Sequence, residues 1–592
     1  MSYSLGVALG HSSAAVLLKG SEIIYAIEEE KIARVKGLTS FPSLSIDYIL
    51  NKENISINDL NSVSIGCKNV IEFCFNLRSL FRYFKKKSLL YIFLGYSFDA
   101  FNIIFPFNNI KKNVIKYFFF KLMQDFGFKK EKIFFFDHHL CHALSAIKCS
   151  PYKDGVVFTM DGKGDGLCST LSYFDENNIY EIDKTEDLNS IGQLYQAVTI
   201  YLGFKHNRHE GKITGLAAYG DFQKTLGAFQ KCLTIKNGKI INQLNNNIED
   251  SIKALKKIKN KKLINESHLR RLDKSLMKFA ISFEIFFDFF EKNFSNINRE
   301  DIAAGLQKHT EDLITLYLKK NLPTNKKFDI CLAGGVFANV KVNQKIFELP
   351  FVKNIFVQPA MDDSGTALGA AIAKLNEKIN FKTIYLGSSY KIKEFDTYLK
   401  ENKINFKRSE NYHSEIAKFL NEGKIVGRFN GRLEWGPRAL GNRSILVKAD
   451  DYSINEILNK RLNRTEFMPF APMIIDTDAK KFLKNYTIDN IASRYMTVTY
   501  DIKSSLSKKI KGSIHIDNTA RPQVLFKEDN LEMYNILQEY KKLSKVGVLL
   551  NTSFNLHEEP IIDSPILGII ALEKGAIDIL SVENYLIYGN EN

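Results

Sequence analysis

DGVVFTMDGKGDG, residues 154–166, is a short apolar run that breaks into an acidic, glycine-rich turn. β-Branched and aromatic residues ending on such a stop read as a buried strand. FDICLAGG (residues 328–335) repeats the form and is followed by the helix-like VFANVKVNQKIF. The first 30 residues read as a meander, YSLGVALG, AAVLLKG and SEIIYAIEE, with Gly10 and Gly20 at the turns. Apolar strands that each deliver glycines to one edge predict an α/β core with anions held at the strands' carboxyl ends.

The 592 residues are 45% hydrophobic and 25% charged, which excludes wholesale disorder and fibrous repeats. Seven cysteines, none in a C-x-x-C pair, exclude a disulfide scaffold and a zinc ribbon. They suit a reducing, cytoplasmic compartment. The net charge of +16 sits largely in lysine-rich runs such as KALKKIKNKK (253–262), which read as solvated faces. No nucleic-acid module is recognisable, and no nucleic-acid partner is expected. LLYIFLGYSFDAFNIIFPF (89–107) is nearly long enough to span a membrane, but Asp99, Asn102 and Pro106 interrupt it. A buried aromatic helix pair is expected there rather than a span. Helical insertions are expected at about 70–125 and 250–300, and the main domain boundary near 385, giving domains 1–385 and 386–592.

Three constellations carry chemistry. In DHHLCHALSA (137–146), a helix puts His138 and His142 on one face and turns His139 away. With Asp363, at the tip before the helix DSGTALGAAIAKL, they would make a two-histidine, one-carboxylate metal site. Capping or packing is the rival reading for the pair. His11, at the first strand turn, positions a substrate or merely ties its loop. Second, DGKGDG with Asp161, Gly162 and Gly164, and AGG with Gly334 and Gly335, offer backbone N–H groups to an anion. Lys212 in EGKITGLAAYG joins them as a phosphate contact or remains a surface charge. Third, GRLEWGPRALGNRS holds Arg432, Arg438 and Arg443 within twelve residues. Arg521 in DNTARPQ, and Asn551 and Ser553 in LLNTSFN, follow. Arginine's planar fork matches phosphate or carboxylate; structural pairing is the alternative for each.

The strand-and-glycine core resembles the duplicated nucleotide-binding domain of actin, the sugar kinases and the heat-shock chaperone ATPases. Over nearly its whole length the chain also resembles the O-carbamoyltransferases of the nodulation and antibiotic type. The matching blocks run from EEEKIARVK (28–36), HHLCHALSA, DGKGDG, LYQAVTIYLGF (194–204) and EGKITGLAAYG to CLAGGVFANVKVN and QPAMDDSGTALGAA. EWGPRALGNRSIL, NRTEFMPFAP, DNTARPQ and LLNTSFN continue it.

That resemblance implies an actin-like first domain and a second, α+β domain similar to the threonylcarbamoyl-adenylate synthases. It implies that carbamoyl phosphate and ATP give carbamoyl-adenylate, whose carbamoyl group passes to a hydroxyl of a small sugar or sugar-nucleotide acceptor. His138, His142 and Asp363 would then hold a divalent metal, iron by resemblance. His11 would lie near the acceptor, with Lys212, Asp161, Gly162, Gly164, Gly334 and Gly335 near the adenylate. Arg438, Arg443, Arg521, Asn551 and Ser553 would grip carbamoyl phosphate and nucleotide, with His11, Lys212 and Arg443 as the catalytic set. Two residues depart from the family pattern: Ser12, where relatives often carry Asp, and Met468, where many carry Arg. A tRNA threonylcarbamoyl-type transferase and a non-catalytic ATP-binding scaffold are the competing readings. The acceptor and the oligomeric state stay open.

Overall fold

The computed structural model describes residues 2–70, 117, 119–121, 123–244, 274–375, 379–464 and 469–589. The aromatic segment 89–107, most of the insertion at 70–125, the lysine run 253–262 and Met468 lie outside the described residues. Among those described, no helix is long and apolar enough to cross a membrane. The chain divides into two compact units, Met1–Glu29 with Gly37–Phe381, and Glu30–Lys36 with Lys382–Asn592. Both are mixed α/β.

The first unit holds two five-stranded sheets. In the first, β1 (Tyr3–Ala8), β2 (Ala14–Lys19) and β3 (Glu22–Glu28) form the antiparallel meander expected from the sequence. β4 (Leu60–Ile65) and β5 (Ile133–Phe135) then add in parallel, giving the order β3-β2-β1-β4-β5. The second sheet is built from β6 (Gly155–Gly164), β7 (Leu167–Phe174) and β8 (Ile179–Glu186). A separate hairpin, β9 (Leu233–Lys236) and β10 (Lys239–Asn242), precedes its last strands, β11 (Phe328–Ala333) and β12 (Val352–Val357). Its order, β12-β11-β6-β7-β8, is again an antiparallel meander of three strands followed by two parallel ones.

Helix Ser364–Lys374 packs on the first sheet and against helix His138–Cys149. A Cβ added at Gly369 would lie 1.8 Å from the Cys141 carbonyl oxygen, so only glycine lets these two helices approach so closely. The contact fixes the histidine-bearing helix beside the tip that carries Asp363.

The second unit is one eight-stranded mixed sheet. Its strands are β13 (Phe406–Arg408), β14 (Val426–Phe429), β15 (Arg443–Lys448), β16 (Ala471–Ile475), β19 (Gln523–Leu525), β20 (Val548–Ser553), β21 (Ile579–Val582) and β22 (Tyr585–Tyr588). The order is β13-β22-β21-β14-β15-β20-β16-β19, and a two-stranded ribbon, β17 (Tyr500–Asp501) with β18 (Thr519–Ala520), stands apart. Helices Tyr412–Asn421 and Leu531–Ser544 bury Ile416, Leu420, Met533, Ile536 and Leu537 against it.

Residues 30–36 belong to this unit although they leave β3 through helix Glu29–Ala33. Lys31, almost fully buried, donates to the carbonyls of Glu434 (2.9 Å) and Gly436 (2.8 Å). Arg34 donates to the carbonyls of Ile561 and Pro560 and lies 3.8 Å from Asp563.

Glu29 closes the first unit's side of this crossing. Helix Ser43–Glu53 begins after Pro42, which has no side-chain cap to give. The wholly buried Glu29 carboxylate takes that role, accepting from the Leu44 and Ser45 N–H groups (2.9 and 2.8 Å) and from Ser45 Oγ (2.7 Å). A charge at a helix N-terminus with three donors is stabilised by the unpaired amides there. Glu29→Ala is expected to cost about 1–3 kcal/mol of stability, the penalty of orphaning buried donors, read as a lower urea midpoint for the first unit.

Candidate functional site

Helix His138–Cys149 starts cleanly because Asp137 caps it, accepting from the Leu140 N–H at 3.1 Å. Asp165 reinforces the same end, accepting from the His138 N–H at 2.8 Å and from the amides of Lys68 and Asn69. One turn apart, His138 and His142 are fully buried and bring their Nε2 atoms to 3.1 Å. His139 turns away, pairs through Nδ1 with Thr159 Oγ1 (2.8 Å), and burial pushes it down to about 3.

Two carboxylates face the histidine pair. Asp161, at the end of β6, places Oδ2 3.3 Å from His142 Nε2 and 3.6 Å from His138 Nε2. Asp363, between β12 and helix Ser364–Lys374, places Oδ1 3.6 Å from His138 Nε2 and 3.8 Å from His142 Nε2. One ligand atom from each of the four residues lies within 4.8 Å of all the others. Donors about 2.1 Å from a common ion stand about 3–4 Å apart, so the set has the spacing of a coordination shell. Two imidazoles with two carboxylates suit a first-row divalent cation, whose charge the carboxylates balance.

The electrostatics point the same way. Burial works against the charge of Asp161, yet hydrogen bonds from His138 and His142 hold its carboxyl well below the usual range. Burial, and next the charge of Asp161, push Asp363 well above it. Two buried carboxylates therefore compete for the same positive partners, a conflict that a bound cation removes.

Asp161 thus stands with the metal-type cluster, and the glycines near it are closely packed. A Cβ at Gly164 would lie 2.1 Å from His138 Cδ2, so this glycine makes room for the imidazole. Gly162 donates its N–H to Asp161 Oδ1 at 2.6 Å. Gly334, at the end of β11, has φ +105° and lies against the Met160 backbone, where a Cβ would come within 2.2 Å of a carbonyl oxygen. Gly335 follows, the site of a would-be Cβ lying 3.0 Å from Asp161 Oδ1. Lys212 is half-buried on helix Glu210–Leu216. His11 Nε2 meets the Asn207 carbonyl at 2.9 Å, and its Nδ1 meets Ser12 Oγ at 3.0 Å.

In the second unit the arginines divide by what holds them. Arg443, wholly buried on β15, donates to the carbonyls of Asn430 (2.7 Å), Gly431 (2.9 Å) and Asn442 (3.1 Å) and stacks on the Phe429 ring. It braces the turn 430–443. Glu434 Oε1 holds the same turn from inside, accepting from the N–H groups of Leu440, Asn442 and Arg443. Arg432 donates to the carbonyls of Gly387 and Leu386. Arg438 differs: among the described residues it has no hydrogen-bond or carboxylate partner, and burial and the charge of Arg521 push it well down.

Asn551 is buried and donates to the Ala439 carbonyl (3.0 Å) and Gln523 Oε1 (2.8 Å), tying β20 to the arginine turn. Ser553 receives Arg464, which also donates to Thr552 Oγ1 and the Asn555 carbonyl. Arg464 and the segment 30–36 were absent from the sequence-level site. The charged residues in NRTEFMPFAP and EEEKIARVK were the signal available.

Comparisons with known proteins follow this geometry. A family description, Carbamoyltransferase N-terminus, matches residues 4–372, and a second, Carbamoyltransferase C-terminus, matches residues 417–588. An uncharacterized protein, MJ1051, of Methanocaldococcus jannaschii is 32% identical over 98% of this chain and 99% of its own. Nodulation protein NolNO of Sinorhizobium fredii is 27% identical over 98% of this chain and 79% of its own. Among solved structures, component A of (R)-2-hydroxyglutaryl-CoA dehydratase from Acidaminococcus fermentans aligns over 63% of this chain and 97% of its own, at 15% identity and a TM-score of 0.31.

Arg443→Met is expected to destabilise the second unit by about 3 kcal/mol, since it orphans three carbonyls at once. Arg438→Met is expected to leave the urea midpoint unchanged or raise it, because it removes a repulsion. Pyrophosphate should raise the melting temperature of the unsubstituted protein and not that of Arg438→Met. Thermal and urea unfolding of the three proteins check both.

Proposed function

Because the chain belongs to the carbamoyltransferase family and is an enzyme that transfers carbamoyl groups, we propose that it is an ATP-dependent O-carbamoyltransferase acting on a hydroxyl of a small, sugar-like acceptor. The reading is carried by one observation, the convergence of His138, His142, Asp161 and Asp363 in a unit whose two sheets share one strand order. That repeated order supports the actin-like, duplicated nucleotide-binding arrangement and, with it, a nucleotide at the strand ends. The division at residue 381 supports separate activating and transferring domains.

In the proposed first step, water releases phosphate from carbamoyl phosphate and leaves carbamate. The carbamate oxygen then bonds to the α-phosphorus of ATP, and pyrophosphate departs with the electron pair. Arg438 and Arg521 supply positive charge for the phosphoryl oxygens, and Arg443 and Glu434 keep the turn that carries Arg438 rigid. Arginines held in place before substrate arrives need little reorganisation when charge develops. The product, a mixed anhydride, carries a good leaving group that carbamate lacks.

The first unit receives this adenylate. Lys212 and the backbone of Gly334 and Gly335 are assigned to its phosphate. His11 is assigned as the base for the acceptor hydroxyl. His138, His142, Asp161 and Asp363 would hold a divalent cation, iron or a similar first-row ion. Such a cation, when bound, supplies electrophilic pull on an oxygen.

Full-length protein given ATP and carbamoyl phosphate is expected to release pyrophosphate and to exchange labelled pyrophosphate into ATP. Neither should occur when carbamoyl phosphate is withheld. Asp161→Asn should weaken binding of ferrous or manganous ion by more than about 100-fold while leaving the pyrophosphate exchange intact. Exchange that is absent from the unsubstituted protein would overturn the reading. Unaltered metal affinity in Asp161→Asn would remove the cluster from it.

A further inference from the structure

His11, Ser12, Asn207 and Asp362 form a hydrogen-bonded chain in the first unit whose donors and acceptors do not balance. His11 Nε2 lies 2.9 Å from the Asn207 carbonyl oxygen, which can only accept, so Nε2 carries a hydrogen. His11 Nδ1 lies 3.0 Å from Ser12 Oγ, and Ser12 Oγ lies 2.9 Å from Asp362 Oδ2. Ser12 has a single proton to give, and two acceptors stand within reach of it. As long as Nδ1 carries no hydrogen, the one Ser12 proton can serve only one of these two contacts. One added proton on Nδ1 completes both: Nδ1–H then donates to Ser12 Oγ, and the Ser12 hydroxyl donates to Asp362. The chain is one proton short of saturation.

Each member is held in place by something other than the chain itself. The second oxygen of Asp362 accepts from the Ser364 N–H (3.1 Å) and Ser364 Oγ (2.5 Å), which fixes the carboxylate. Asn207 is pinned by Gln196 Nε2 on its side chain (2.5 Å) and donates its N–H to Glu210 at 2.6 Å. Ser12 has φ +53°, the left-handed region that costs a non-glycine residue about 1 kcal/mol and that clusters where function requires it. Asp362 immediately precedes Asp363, so consecutive carboxylates serve the histidine cluster and the His11 chain.

We propose that Ser12 relays the acceptor's proton to His11, and that Asp362 is the residue that positions this relay; the proposal rests on the transfer reaction argued above. The acceptor O–H bond breaks and its proton passes to Ser12 Oγ, while the Ser12 proton passes to His11 Nδ1. The acceptor oxygen bonds to the carbamoyl carbon, and the bond from that carbon to the adenylate oxygen breaks with its electron pair on AMP. The imidazolium that results has both N–H groups satisfied, one by the Asn207 carbonyl and one by Ser12, whose own hydroxyl turns to Asp362. A proton deficit in the resting chain thus becomes a driving force at the moment of transfer. Ser12 is short, so the chain reaches the more distant carboxylate of Asp362 through a hydroxyl instead of carrying an acid of its own at position 12.

Ser12→Gly tests this directly, because glycine suits φ +53° and removes only the hydroxyl. Water serves as the acceptor probe. AMP release is followed with ATP and carbamoyl phosphate and no added alcohol, alongside pyrophosphate exchange, metal content and melting temperature. Ser12→Gly and His11→Ala are each expected to slow AMP release at least 10-fold. The double variant should be no slower than the slower single one, as for residues acting as a unit. Asp362→Asn should lower the AMP-release rate several-fold without raising the KM for carbamoyl phosphate. Exchange, metal content and melting temperature of Ser12→Gly should match the unsubstituted protein. AMP release by Ser12→Gly within twofold of the unsubstituted protein, or additive losses in the double variant, would overturn the relay. Absence of exchange and of AMP release from the unsubstituted protein would instead overturn the reaction on which it rests.

Discussion

The first unit is organised around the cost of burying two carboxylates beside two imidazoles. The imidazoles are wholly buried and the carboxylates only partly exposed, and each ionised group then depends on the others for its charge balance. The surrounding structure is shaped to keep them together. Asp137 and Asp165 anchor the first turn of the histidine helix, Gly164 leaves space for the His138 ring, and Gly369 lets the helix behind Asp363 come into contact. None of these residues touches a substrate in the scheme above. They set the geometry on which any chemistry at the cluster must rely.

Much of that cluster was readable from spacing alone. An i, i+4 histidine pair has one projection, and the structure places His138 and His142 on it with His139 turned away. The meander of β1 to β3 followed from alternating apolar runs cut by glycine. Asp161 was harder, because it stands where an apolar strand becomes a glycine-rich turn, and that pattern equally fits an anion cradle. Only the pairing of β6 with β11 brings the end of this strand toward a helix 19 residues earlier in sequence. The role of Gly164 was hidden for a related reason: a glycine that avoids an imidazole and one that admits a phosphate look alike in sequence.

The arginines of the second unit show where composition stops being informative. Three lie within twelve residues, and each has the same fork of donors. What separates them is the supply of acceptors: Arg443 and Arg432 meet backbone carbonyls, whereas Arg438 Nε meets no acceptor among the described residues. The carbonyls come from turns whose shape depends on Glu434, and those turns are held by Lys31 from 403 residues away. No local window contains that information. The family block around residues 28–36 marked the segment without saying that it builds the other half of the molecule.

A guanidinium that loses water and gains no acceptor is costly to hold, and a like charge nearby adds to that cost. A fold keeps such a group only where the structure around it is firm, and the neighbours of Arg438 supply that firmness. Glu434 accepts three backbone N–H groups, Arg443 donates to three carbonyls, and Asn551 bridges Ala439 to Gln523. These bonds fix the turn that carries Arg438. In the proposed reaction an arriving anion meets a turn already in place, so its binding energy goes into orientation and charge neutralisation rather than into folding the turn. The first unit follows the same logic: Ser364 fixes Asp362, and Asp137 and Asp165 fix the start of the histidine helix.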